Sequence, residues 1–158
     1  MNPNEAILQT AVELLAAYQA VPDRPEPNRL DVKLASADLL PAVTRLNDAH
    51  WGYLAAITGI DPGASTGVLE VLYHFCHGPL VVTLRVRVPR EAPALPSIGG
   101  VLACAGLMER ELSEMLGVEI SDIPYGDHLF LPDDWPAGVF PLRKEPLPAS
   151  LISREAQP

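Results

Sequence analysis

Proline occurs 17 times in this chain and constrains its fold more than any other feature. Each proline removes a backbone donor and fixes φ at about −65°, so helix interiors and central strands must fall between them. The prolines crowd at 22–27, at 89–96 and from 124 to 148, and these stretches are expected to be irregular.

Between them the apolar residues keep regular spacing. Residues 5–20 place Ile7, Ala11, Leu14, Leu15 and Tyr18 on one stripe of a surface helix. The segment from Pro22 to Pro27 reads as an extended linker. Leu30 to Leu34 alternates apolar and charged residues, the period of a half-buried strand. A second helix follows, with Ser36 as candidate cap, Pro41 tolerated near its start, and Leu39, Leu40, Val43 and Leu46 facing the core. Tyr53 to Ile60 reads as a strand closed by the turn Asp61-Pro62-Gly63.

The clearest unit is a hairpin of Val68–His77 and a second arm broken off by Gly78-Pro79. Its second arm turns Val82, Leu84, Val86 and Val88 inward and Thr83, Arg85 and Arg87 outward, leaving one wet face. A third helix is expected from about Ile98 to Leu116, striped by Val101, Ala105, Met108, Leu112 and Met115, with Gly117 as its C-terminal cap. These elements make an α+β domain: a small mostly antiparallel sheet with helices on one face and a long irregular C-terminal extension. The expected organisation is an N-terminal helix at 1–21, a core domain at 28–117 and an extended arm at 118–158 that docks on a partner.

Composition narrows the function. With 48% hydrophobic and 20% charged residues in 158, the chain suits one folded domain. A formal net charge of −9 opposes binding to nucleic acid or to an anionic bilayer. Two cysteines, Cys76 and Cys104, fit a reducing compartment better than a disulfide framework. Glu5 and Glu13 interrupt the first apolar stretch, so no signal peptide or anchor is expected, and no segment approaches the roughly 20 apolar residues of a membrane span.

Motifs for nucleotide cradles, nucleophile elbows and zinc proteases do not occur. His74 and Cys76 would share a strand face but lack a third and fourth ligand, so they read as hairpin residues with incidental polarity. Cys104 reads as a small hydrophobe near the stripe of the third helix, and His50 and His128 as isolated histidines. No catalytic, cofactor-binding or metal-binding residue is therefore expected.

Two stretches stand out instead. On the third helix, Arg110 faces solvent one turn before Glu114, and Glu111 sits beside the apolar stripe where a carboxylate wants a cation; Arg143 and Lys144 are candidates. In the tail, Leu129, Phe130, Leu131, Trp135, Val139, Phe140 and Leu142 have no period that would fold them onto the chain's own core. Such an arm is expected to lie in a groove of another protein.

Glu109-Arg110-Glu111, Gly117, Leu131-Pro132-Asp133-Asp134-Trp135 and Pro141-Leu142-Arg143-Lys144-Glu145 together resemble the thirty-kilodalton (C) subunit family of respiratory complex I, with its relatives in energy-converting membrane-bound nickel-iron hydrogenases. The likeness extends more weakly over roughly residues 30 to 148, through Asp61 and the strands at Val71–His74 and Val86–Pro89. Asp127-His128 stand where the family usually has an arginine pair, while the Trp135–Lys144 stretch looks more like the hydrogenase relatives. The resemblance implies a non-catalytic structural subunit of the hydrophilic arm of an NADH:quinone oxidoreductase. The alternatives are the equivalent hydrogenase or formate hydrogenlyase subunit and, further off, a free-standing metal or cysteine enzyme.

On the favoured reading Glu109, Arg110, Glu111, Asp133 and Asp134 dock on the large subunit together with Trp135, Phe140, Leu142, Arg143 and Lys144. Cofactors would be absent from this chain, and iron-sulfur clusters with flavin or nickel-iron would sit in partner subunits, including neighbouring iron-sulfur subunits. The expected place is the cytoplasmic side of the cell membrane, reached only through the complex.

Overall fold

The computed structural model describes residues 3–18, 21–123, 126 and 128–146. The chain is an α+β fold around one five-stranded sheet, with strand order β1-β2-β5-β4-β3. Its elements are α1 (Pro3–Leu15), β1 (Val21–Asp23), β2 (Arg29–Leu34), α2 (Leu39–Asp48), β3 (Tyr53–Ile60), β4 (Val68–His77), β5 (Leu80–Pro89), β6 (Ala94–Pro96), α3 (Ala105–Leu116) and β7 (Glu119–Ser121). Every pair in the large sheet is antiparallel except β2 with β5.

The hairpin forms where strict alternation predicts it, with Val68 opposite Pro89 and His77 opposite Leu80 around Gly78 at φ 56°. Leu69, Val71, Tyr73 and Phe75 of β4 and Val82, Leu84, Val86 and Val88 of β5 are all buried on the helix-covered side. There α1 adds Leu8, Ala11 and Leu15, and α2 adds Leu39, Ala42, Val43 and Leu46. Trp51 locks α1 down by donating its indole N–H to the Ile7 carbonyl at 3.0 Å.

Three local expectations are corrected. The segment after Pro22 is not wholly a linker, because Val21–Asp23 is an edge strand paired with Asp31–Lys33. An edge position tolerates proline, and Arg24 ties the strand to α1 through Glu5 at 2.6 Å. Ser36 makes no side-chain cap; a short 3-10 turn at Ser36–Asp38 leads into α2 instead. The third helix begins at Ala105 rather than near Ile98, since residues 94–96 are used as β6, parallel to β7.

The buried stripe of α3 is Ala105, Glu109, Leu112 and Leu116, so the helix is rotated from the expected stripe, leaving Met108 and Met115 half-buried. Gly59 explains the close approach, for a Cβ there would overlap the Leu112 and Leu116 methyl groups. Gly117 then stops the helix at φ 67°, its N–H donating to the Ser113 carbonyl at 2.8 Å. Phe140 lies against Gly117 where a side chain would be. Gly117→Ala is expected to cost about 2 kcal/mol in chemical unfolding, from the left-handed backbone and the displaced ring together.

The outer side of the sheet is polar. His74 fills both ring nitrogens there, on Thr83 and Thr58 at 3.1 Å each. Burial, then the nearby Arg29 and Arg85 charges, push its pKa down despite Asp31.

Candidate docking surface

The surface is assembled from α3 and the arm that folds back over it. Glu114 points away from the core face of α3. Its carboxylate accepts the backbone N–H groups of Leu129 (2.7 Å), Phe130 (2.7 Å) and Leu131 (3.4 Å), and contacts His128 Nδ1 at 2.9 Å. Burial alone would raise this carboxyl, but the three amides and His128 outweigh it and hold its pKa below the ordinary value.

The arm then bows outward. Trp135 closes a turn by donating its indole N–H to the Val139 carbonyl at 2.8 Å. Between this turn and α3 lies an open pocket of about 210 Å³, lined in part by Arg110, Ser113, Glu114, Leu131, Trp135 and Phe140. The chain next returns to the end of α3. Leu142 N–H donates to the Met115 carbonyl at 3.1 Å, and Arg143 Nε to the Leu116 carbonyl at 2.9 Å. The Arg143 guanidinium also lies 4.8 Å from the Phe140 ring centre, within cation–π range.

A buried ion pair fastens the arm's far end. Asp61, after β3, pairs with Arg90, after β5, through both carboxylate oxygens, one bond being 2.9 Å. Asp61 also accepts the Gly63 N–H at 2.8 Å and the Lys144 backbone N–H at 2.6 Å. Arg90 reaches Glu145 at 2.7 Å. The Arg90 hydrogen bond is the main reason the Asp61 carboxyl is held far below the usual carboxylate range; burial opposes it, and the two amides assist.

The residues expected to dock on a partner thus have distinct surroundings. Glu109 has no exposed surface: its Oε1 accepts the Ile98 N–H and its Oε2 the Ser97 hydroxyl, each at 2.7 Å. Arg110 is half-buried at the pocket, and Glu111 is exposed rather than seated beside the apolar stripe. Of the two residues expected to meet Glu111, Arg143 donates its Nε–H to the Leu116 carbonyl, and Lys144 is anchored by its backbone N–H on Asp61. Asp133 and Asp134 are exposed, Trp135 and Phe140 half-buried, and Leu142 is 59% exposed.

Three further expectations change. The described arm is not splayed away from the body, since hydrogen bonds tie residues 129–131 and 142–145 to it. Its last residues, 147–158, lie outside the described residues. Cys104 is exposed just before α3 instead of joining the stripe, because the helix starts one residue later. His128 is not isolated, as Glu114 receives it.

Sequence reasoning missed Asp61, Arg90 and Glu114 as organisers. Asp61 was named only for its turn chemistry and the family likeness, and Glu114 only as a neighbour of Arg110 one turn away. Among the described residues no group of three or more His, Cys, Asp or Glu side chains could hold a metal ion.

Family models decide the class of the chain: residues 32–149 match the respiratory-chain NADH dehydrogenase 30 kDa subunit. This chain belongs to that family. It is 32% identical over 102 residues to the membrane-bound hydrogenase subunit beta of Pyrococcus furiosus, a match covering 62% of this chain and 59% of that one. The chain thus spans about three-fifths of that relative's length. It is 31% identical over 138 residues to NAD(P)H-quinone oxidoreductase subunit J of a Synechococcus strain, covering 76% of this chain and 70% of the other. In fold it is similar to a chain in the structure of the membrane-bound sulfane sulfur reductase, an archaeal respiratory membrane complex. That superposition has a TM-score of 0.78 at 19% identity, over 96% of this chain and 90% of the other.

Replacing Glu114 with alanine should free the start of the arm. Hydrogen exchange at the amides of Leu129 and Phe130 is expected to accelerate by about tenfold or more, while β4 and β5 amides stay unchanged. The same amides should lose protection in the parent protein on acidification. A carboxyl with a lowered folded pKa stabilises above its ordinary value of 4.5 and loses that contribution as pH falls through the folded pKa.

Proposed function

We propose that this chain is a non-catalytic structural subunit in the peripheral, hydrophilic arm of a complex I-like NADH:quinone oxidoreductase, docking on the large, quinone-site subunit. The reading rests on family membership together with one observation: in the described arm from His128 to Pro146 every residue is half-buried or exposed, none buried, although backbone hydrogen bonds fix its course. A segment held in shape with Phe130 and Leu142 facing water presents a ready-made apolar surface to a partner. Iron-sulfur clusters, with flavin or nickel-iron, belong on this reading to partner subunits. No described helix is long and apolar enough to cross a membrane, so attachment to the cytoplasmic face would run through the complex.

A second reading, the equivalent subunit of a membrane-bound energy-converting hydrogenase, is favoured by the 32% identity to the hydrogenase subunit beta and by the Trp135–Lys144 stretch. Native purification through a tag on this chain separates the two: nickel in the large partner selects the hydrogenase, flavin with quinone reductase activity the oxidoreductase. The double variant Phe130→Ala, Leu142→Ala should fold normally yet lose on the order of a hundredfold in affinity for the large subunit, about 3 kcal/mol of buried apolar contact. Undiminished recovery of that subunit would refute arm docking. Recovery of the chain alone, carrying stoichiometric metal or a strongly reactive cysteine, would favour a free-standing enzyme.

A further inference from the structure

All three helices cover one side of the sheet, and among the described residues no helix lies on the other. Charge on that open side is layered. Arg85 donates to Asp31 Oδ2 at 2.9 Å and grips Glu70 with Nε and Nη2 at 3.2 and 2.9 Å, while Arg87 approaches Glu70 at 3.6 Å. Both carboxylates are buried beneath these guanidinium groups. The Arg87 side chain is 67% exposed, and Lys33 is exposed on β2 opposite Arg85.

What solvent meets at the centre of this side is therefore cationic, on a chain whose formal net charge is −9. At the β3 edge the same side carries Tyr53, 63% exposed across from Cys76, and Ile60, 37% exposed across from Glu70. Exposed tyrosine and arginine on a rigid sheet are the groups that anchor protein interfaces. The arm reaches only the end of β3, where Asp61, directly after Ile60, holds the Lys144 amide.

We propose that the open sheet face is a second docking surface that receives an acidic protein surface of a neighbouring subunit on Lys33, Arg85 and Arg87, with Tyr53 and Ile60 as apolar anchors. The proposal rests on membership of a multisubunit complex. An acidic protein patch fits better than a long polyanion or an anionic bilayer, because either of those would extend over the acidic remainder of the chain.

Lys33 and Lys144 are the only lysines in the sequence, which makes the test direct. The complex is purified natively through a tag on the full chain; one portion is acetylated, and a separate, unacetylated portion is cross-linked with a zero-length carbodiimide. Lys33 should react about tenfold more slowly in the complex than in the isolated chain and should cross-link to an aspartate or glutamate of another subunit. Arg87→Glu, exposed and so expected to fold, should lower affinity for that subunit about tenfold, with the loss shrinking at high salt. A complete complex in which Lys33 stays fully reactive overturns this proposal alone. So do cross-links only to a second copy of this chain, or binding of the isolated chain to phosphatidylserine vesicles that Arg87→Glu abolishes. Recovery of the chain with no partner overturns the complex-subunit reading as well.

Discussion

Asp61→Ala is expected to lower Tm by about 10 °C, the largest effect of any single substitution considered. The change leaves the Arg90 guanidinium buried without its bidentate partner and removes the acceptor for the Gly63 and Lys144 amides at the same time. Two readouts separate these losses. Thermal unfolding reports the stranded cation, and hydrogen exchange at Lys144 reports release of the arm. Unchanged exchange at Lys144 would mean that the arm's end is held by the remaining contacts, such as Arg143 with the Leu116 carbonyl.

The sign of the pH dependence follows from the same group. Arg90 holds the Asp61 carboxyl well below its ordinary value of 3.8, so the pair's contribution is complete above that value and is lost as pH falls through the folded pKa. Glu70, lowered chiefly by its hydrogen bonds to Arg85, behaves in the same way below its ordinary 4.5. His74 acts in the same direction at higher pH. Its lowered pKa means that acidification through its ordinary 6.5 already removes some stability. The parent protein should thus weaken in two stages on acidification, and Asp61→Ala should flatten the lower one.

Glu109→Ala should cost about 3 kcal/mol, measured by chemical denaturation, because a buried charged acceptor is removed from two donors. The Ile98 N–H is enclosed by the chain and would be left without a partner. Glu109→Gln keeps an acceptor oxygen for that amide and should cost about 1 kcal/mol. Equal losses in the two variants would show that the negative charge, rather than the hydrogen bond, fixes the turn at Ser97–Ile98 to α3.

Where local pattern determines structure, the sequence was easy to read. The hairpin edges at Val68, His77, Leu80 and Pro89 follow from period-two alternation and a Gly-Pro break, and β3 ends at the turn that its Asp-Pro-Gly announces. The organising carboxylates were not legible. Glu109 and Glu114 accept backbone amides from segments 11 and 15 residues away, and Asp61 accepts the Lys144 amide 83 residues away beside its main partner Arg90; an amide leaves no mark in the side-chain sequence. The rotation of α3 was hidden for a related reason, since it depends on the missing side chain of Gly59 in a different element. The arm expected at 118–158 begins inside the core, where Val118 and Ile120 are buried, and its residues 142 and 143 find backbone acceptors on α3 that composition could not reveal.

The parallel pairing of β2 with β5 has a consequence for how the protein is made. Arg29 sits opposite Val81 and Leu34 opposite Val86, so β2 cannot find its neighbour until some fifty further residues have left the ribosome. At elongation rates of about 5 to 20 residues per second that is a wait of about 3 to 10 s, during which the N-terminal helix and strand lack the surface that buries them. The β4-β5 hairpin closes on itself at once. Vectorial synthesis should therefore complete this middle segment first and capture the older N-terminal third afterwards.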